Sequence, residues 1–426
     1  MLNRKTPPSY NLNAEIHLPT PQKQALSNGI EVYYFNSGNQ DIVLIELIIE
    51  AGSKYQTKPF TAMATNIMLR EGTKRYTAQA LADEIDFYGA QLECTTERDN
   101  AFVSLYSLTK HLDKMLPILN EIVRYPTFPK TELNIIAEKQ KQQLEINKEK
   151  VSFLARTYFN RLIFGENHFY GKVLEPEEML DVNAHDLQSF HKKQYHAKNC
   201  KIIVAGKIPD YLPDLLNETL GQPWEGEKAQ QPAQNILPHS EKLNFIVKPD
   251  AKQSAIRMGK VLVNRQHPEF LGLKVLNTLL GGYFGSRLMM NLREDKGYTY
   301  GVGSGTVPLL QEGYQIIASE VGREVTQKAY SEICNELMRL CDNPVPEHEL
   351  ALVRNYMMGD FMRSLDGPLA QASVFRELIE SEMGMDFLTD FKNTIHTIDA
   401  KTLQALAQKY YTPESFHTLI VGAEKF

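Results

Sequence analysis

Of the eleven histidines in this 426-residue chain, only His191 and His196 fall close together in a helical setting, in HKKQYH. Two imidazoles share a metal when they leave a helix on one face, and a spacing of five sends them to different faces. They are not expected to ligate. The four cysteines, Cys94, Cys200, Cys334 and Cys341, are scattered without a CxxC pair, which implies neither a zinc ribbon nor a disulfide framework and fits a reducing compartment. Two further pairs carry groups that chemistry could use. Glu138 and Glu145 stand two helical turns apart in AEKQKQQLEI. Arg293 and Tyr300 stand in FGSRLMMNLREDKGYTYGVGSG, Phe284 to Gly305, where a guanidinium fork and a phenol hydroxyl could hold a carbonyl or an oxyanion. Each has a plainer reading. Glu145 is a solvated or ion-paired carboxylate on a charged helix, Arg293 a partner of Glu294 or Asp295, and Tyr300 a residue packed on a sheet.

The elements that would position these residues can be read coarsely. Ile30 to Phe35 and Ile42 to Ile49 read as strands, rich in Val, Ile and Tyr and bounded by Asn-Gly and Ala-Gly. Lys58 to Arg70 and Thr77 to Tyr88 read as helices, Gln91 to Thr96 and Phe102 to Leu108 as strands, and Thr131 to Glu149 as a long charged helix with one solvated face. After Leu112 the pattern is helical until a strand at Lys201 to Ala205. Strands followed by a run of helices imply an α+β fold, with helices layered on one face of a mostly antiparallel sheet.

The chain also repeats itself. VNAHDLQSFHKKQY from Val182 matches IDAKTLQALAQKYY from Ile398, and each runs into a strand ending in glycine, KIIVAG and HTLIVG. NEIVRYPTFPKTEL from Asn120 resembles NELMRLCDNPVPEHEL from Asn335. Matched blocks in the same order imply a duplicated unit of comfortable domain size. In the second copy the places of His191 and His196 hold Ala407 and Thr412. Gly221 to Lys242 is rich in Pro, Gln and charge, so the seam is placed there: domains at 1–222 and 242–426 with a linker at 223–241, to which the lone Trp224 is expected to act as a staple.

Net charge of −6 argues against nucleic acid as the main partner. The opening Met1-Leu-Asn-Arg-Lys-Thr-Pro-Pro lacks a secretory apolar run and no stretch approaches a membrane span, so a soluble cytoplasmic protein without membrane contacts is expected.

The order of elements, the duplication and the phrase LREGTKRYTAQALADEIDFYGAQLECTTERDNAFV from Leu69 together resemble the insulinase or pitrilysin (M16) family of metallopeptidases, over nearly the whole chain. The resemblance implies two homologous domains forming half of a clamshell. Active members carry an inverted zinc motif, His-x-x-Glu-His, just before the Gly-Thr that stands here at Gly72 and Thr73. Its positions fall on Met63, Asn66 and Ile67, a poor thioether donor, an amide that cannot serve as general base, and a side chain without a lone pair. Met63 and Ile67, at i and i+4, are expected in the core. Glu145 occupies the place of the third ligand, seven residues after a supporting Glu138, and is expected not to bind metal by itself. No cofactor is therefore expected in this chain.

The same resemblance gives Arg293 and Tyr300 the part of a pair that faces the zinc site across the clamshell. It implies a noncatalytic subunit, inactive alone, that resembles the zinc-less partner in bacterial heterodimers. Its partner would be a zinc-bearing subunit of similar length, its substrate unfolded peptides, and a homodimer is possible when it is alone. Gly281, Gly282 and Gly285 read as a tight turn before the motif. A purely structural or scaffold role, or peptide binding without cleavage, is the alternative.

Overall fold

The structure is a computed structural model that describes Leu18 and Thr20 through Phe426. The reading of the N-terminal residues 1–8 lies outside the described residues. Among the described residues, eleven strands form two sheets. β1 (Gln22–Ala25), β2 (Glu31–Asn36), β3 (Ile42–Ile49), β4 (Gln91–Thr96), β5 (Ala101–Leu108) and β6 (Cys200–Gly206) make one, in the order β1-β2-β6-β3-β5-β4. β7 (Leu243–Val247), β8 (Gln253–Leu262), β9 (Thr299–Pro308), β10 (Gly313–Gly322) and β11 (His417–Gly422) make the other, in the order β7-β11-β8-β10-β9. β2 and β6 pair in parallel, as do β7 and β11, and every other pairing is antiparallel. Apart from β1, the two sheets have the same order and the same pattern of directions. The α+β class with mostly antiparallel sheets is as the sequence implies.

The helix ends follow local chemistry. Asn183 and Asp399, matched positions of the two related segments, both cap helices: Asn183 forms a reciprocal capping box with Asp186, and the Asp399 carboxylate accepts from the Thr402 amide. The helix expected over 58–70 is shorter, Thr61–Met68, because Pro59 and a left-handed Phe60 (φ 71°) keep the preceding residues irregular. β1 escapes a pattern-based reading because QKQA is wholly exposed and polar.

β3 shows how the halves are joined. Its run IVLIELII is apolar on both faces, the signature of a strand covered on both sides. Val43, Ile45, Leu47 and Ile49 meet helices of their own half, while Leu44 and Ile48 share a core with Phe375 and Leu378 of the helix Pro368–Glu380 from the other half. The exchange is reciprocal. The helix Val151–Phe164 of the first half lies on β8 and β11, packing Leu154, Phe159 and Ile163 against Ala255, Leu419 and Val421. Gly259 is required there, since a Cβ would stand 1.9 Å from the Gln315 carbonyl oxygen of β10 and 2.8 Å from the Phe159 ring. Each sheet is thus layered on both sides, one side by a helix from the other half, which the sequence reading does not anticipate.

Polar contacts pin the same junction. Buried Glu46 accepts from Ser104 Oγ at 2.8 Å and pairs with Arg376 of the exchanged helix at 3.1 Å. Asp99, in the β4–β5 turn, pairs with fully buried Lys54 at 2.8 Å, accepts from Tyr170 Oη at 2.7 Å, and accepts the Leu310 amide of the β9–β10 hairpin at 3.1 Å. From Leu220 to Lys242 no helix or strand forms, yet the segment is held: Trp224 packs on the first core, and the Leu237 and His239 amides donate to Phe164 and Leu162 carbonyls at 3.1 and 2.9 Å.

Asp99→Ala removes the counter-ion of a buried ammonium, and the expected cost is about 3–5 kcal/mol. A urea titration should show the midpoint falling well below that of wild type; an unchanged midpoint would mean the Asp99 tie contributes nothing.

Candidate functional site

The helix Thr61–Met68 sits on the β4–β5 hairpin with Asn66 on its inner face, fully buried. Asn66 Nδ2 donates to the Thr95 carbonyl at 2.7 Å and the Phe102 carbonyl at 3.2 Å, which face each other across the two strands. Its Oδ1 accepts from Tyr195 Oη at 3.2 Å. Both amide donors are consumed by carbonyls, which a carboxylate could not satisfy. Asn66 is therefore a structural clamp.

Its neighbours correct the expectation of a core pair. Met63 is 38% exposed on a cavity wall beside Pro59 and Phe60, and Ile67 is half-buried. The reason is that the buried stripe of this short helix is carried by Ala62, Ala64, Thr65, Asn66 and Met68, leaving Met63 on the opposite side. Glu138 and Glu145 lie on the helix Lys130–Lys148, whose buried residues are Leu133 and Ala137; both carboxylates are exposed and have no ion pair among the described residues. An exposed thioether, a committed amide, an alkyl group and a solvated carboxylate do not fit zinc. Among the described residues no cluster of three or more His, Cys, Asp or Glu is placed to hold a metal.

The two neighbouring histidines serve packing. His191 stacks on Tyr195 with centroids 4.8 Å apart, and its Nε2 donates to the Val123 carbonyl at 2.9 Å. Burial, opposed by that carbonyl, pushes its pKa down to about 4, so the ring is neutral. His196 lies beyond the helix Ala184–Gln194 and is fully buried, with Gly226 against its ring where a Cβ would come within 2.1 Å.

Arg293 and Tyr300 belong to a surface cluster of a different kind. The segment Met289–Asp295 winds in wide π-type turns, a form that recurs at functional sites. Arg287 anchors it through a bidentate pair with Glu349 at 2.8 and 2.9 Å, and Asn291 Nδ2 donates to Glu332 and Glu336 at 3.1 and 2.6 Å. Gly297, with φ of 63°, then turns the chain into β9, the edge strand that carries Tyr300. The Arg293 guanidinium lies 4.8 Å from the ring of Phe284 and 4.8 Å from that of Tyr300, and its Nε is 3.3 Å from Glu294. Tyr300 is 88% exposed, so it does not pack on the sheet; the half-buried Tyr298 packs on the core instead. Phe284 was not singled out in the sequence, although it opens the same motif.

Of the glycines before the motif, Gly285 lies in a turn closed by the Ser286 amide on the Tyr283 carbonyl at 3.1 Å, as expected, while Gly281 and Gly282 end the wound segment Thr278–Gly282. None of Gly281, Gly282 and Gly285 has a positive φ. A Cβ on Gly281 would stand 2.7 Å from the Ser304 amide and one on Gly285 2.8 Å from the Tyr283 ring, so close approach favours glycine at these two positions.

A cavity of about 810 Å³ separates Met63 from the second half, with Arg98, Arg265, Lys274 and Arg376 among its walls. Arg293 and Tyr300 are not among them. Glu380 closes one side, 3.2 Å from Arg376 Nε; burial, with Glu97 and Glu377 adding to it and Arg376 opposing it, pushes its pKa up to about 7.

Residues 31–173 match the family described as insulinase (peptidase family M16), and residues 181–357 match the peptidase M16 inactive domain. An uncharacterized zinc protease of Bacillus subtilis, YmxG, is 23% identical over 404 residues, covering 94% of this chain and 98% of its own. The mitochondrial-processing peptidase subunit beta of Mus musculus is 23% identical over 419 residues, covering 94% of this chain and 84% of its own. In three dimensions the fold matches a peptidase M16 inactive domain from Pseudomonas fluorescens (TM-score 0.85, 22% identity, 95% of this chain and 98% of that one). It also matches a protease from Helicobacter pylori (TM-score 0.86, 17% identity, 95% and 100%).

Two outcomes are expected of variants here. Asn66→Asp leaves two buried carbonyls without donors beside a new carboxylate and should cost about 3 kcal/mol, read as a lowered denaturant midpoint. Retention of wild-type stability would remove the clamp. Glu380 holds its proton more tightly folded than unfolded, so ionising it costs stability as pH rises from about 4.5 to about 7. Glu380→Gln should flatten the stability profile in that window, and an unaltered slope would contradict the assignment.

Proposed function

The chain belongs to the M16 peptidase family, and on that premise we propose that it is the noncatalytic wall of a two-chain peptidase, working with a subunit that carries the metal. The observation that carries this reading is the posture of Arg293. Its guanidinium is held between the rings of Phe284 and Tyr300 on an exposed edge, away from the chain's own cavity. A guanidinium without a bidentate carboxylate, on the wound segment Met289–Asp295, and a solvent-facing phenol on the edge strand β9 are suited to a second protein and its bound peptide.

In such a complex the chemistry left to this chain is electrostatic. Hydrolysis of a peptide bond develops a tetrahedral oxyanion, and the Tyr300 hydroxyl donates a hydrogen bond to charge that is absent from the ground state. Arg293 holds a carbonyl of the bound peptide through its fork of donors, with the Phe284 ring limiting its rotamers. The first half contributes shape and no base, because Asn66 is committed to Thr95, Phe102 and Tyr195. The mitochondrial relative named as a subunit supports pairing as the working state. No helix among the described residues is long and apolar enough to cross a membrane. The four free cysteines support a reducing, cytoplasmic setting as part of the same proposal.

Peptide cleavage by this chain mixed with a zinc-bearing M16 subunit is expected to fall about 10²-fold or more for Tyr300→Phe, with assembly unchanged by size-exclusion chromatography. Equal rates for variant and wild type would leave only a scaffold role.

A further inference from the structure

Lys274 occupies a position that the metal-site and surface-pair arguments do not use. It lies on the helix Phe270–Asn277, among buried Leu273, Val275 and Leu276, and its ammonium stands 4.5 Å over the ring of Phe391. It lines the 810 Å³ cavity and a second cavity of about 390 Å³ that adjoins it, with Arg265, Thr306 and Glu377 shared between the two. Met63 looks into the larger one, so the altered helix of the first half and Lys274 of the second face a common space.

The charges around Lys274 do not balance. The two carboxylates that act on it, Glu377 and Asp360, are each taken: Glu377 by Arg265 at 2.8 Å and Asp360 by Arg363 at 2.5 Å. Among the described residues Lys274 Nζ has no ion pair and no hydrogen-bond acceptor, and its only close partner is an aromatic face. Burial, reinforced by Arg265, pulls its pKa down, the response of an ammonium that lacks a counter-ion. Lys274 is half-buried, and an ammonium partly withdrawn from water without a counter-ion gains from the arrival of one anion.

We propose that Lys274 is a binding site for the C-terminal carboxylate of a peptide lying in the joined cavities, placed there by the surplus positive charge of Lys274 beside Arg265. The inference rests on the proposed two-chain peptidase and goes beyond it by reading these cavities as a chamber for peptide and by naming the end of the peptide that is held. One carboxylate balances the surplus, the ammonium donates to it, and the Phe391 ring excludes water behind the pair. A peptide end-anchored this way lies along the wall that carries Met63.

The test compares three short peptides free of other acidic residues, each carrying an N-terminal fluorophore, by anisotropy against the full chain. One has a free C-terminal carboxylate, one a C-terminal amide, and one an amide preceded by a single Asp. The free acid is expected to bind about tenfold more tightly than the amide, a charge-assisted hydrogen bond's worth. Lys274→Met should abolish that difference while leaving the amide's affinity unchanged, which also shows that the variant is folded. Equal affinity of acid and amide for wild type, or a preference that persists in Lys274→Met, would overturn the carboxylate site while the chamber stands. Binding of the Asp amide as tightly as the free acid would overturn its assignment to the terminus. Failure of all three peptides to bind would overturn the chamber reading along with it.

Discussion

Two sheets of the same topology close their second faces with each other's helices, and most of the molecule follows from that exchange. Val151–Phe164 is held on β8 and β11, and Pro368–Glu380 on β6 and β2, so neither half can complete its core alone. Apolar burial supplies the force, and Glu46–Arg376 and the Asp99 contacts supply register. The cavity between the halves is therefore a fixed feature, walled on one side by the helix Thr61–Met68 and on the other by Arg265, Lys274 and Arg376.

Within that frame the two ends of the site have diverged. In the first half, Asn66 is an amide whose donors close a β-hairpin, which gives it a structural role. In the second half, Arg287, Asn291 and Gly297 set the segment that presents Arg293, and Phe284 and Tyr300 hold the guanidinium from both sides. On the proposed reading, the first half offers no group that acts on water and the second offers Arg293 and Tyr300 to a carbonyl, as one wall of a two-chain site would.

Much of this was legible in the sequence, for physical reasons. Strand positions were readable because IVLIELII and KIIVAG are dense in β-branched residues, and Gln91–Thr96 because turns bound it. That Met63 and Ile67 are poor metal donors is readable because donor chemistry depends on residue type alone. What could not be read depends on tertiary placement. Periodicity gives a helix's stripe but not its rotation, which is why Met63 reads as a core residue in the sequence and lies on a cavity wall. Pattern says nothing of which half a helix covers, so the exchange was invisible. Phe284 and Lys274 are ordinary in sequence and become notable through one stacking distance and one missing counter-ion.

The central claim is that the metal belongs to a second chain and that this chain completes the site from outside. Native mass spectrometry with metal analysis addresses it directly, on the lone chain and on its mixture with a zinc-bearing M16 subunit. The account expects a heterodimer that holds its zinc in the partner's stoichiometry, and a lone chain that takes up none from a zinc-containing buffer. A lone chain that retains stoichiometric zinc through desalting, or a mixture that never forms the heterodimer, would contradict it.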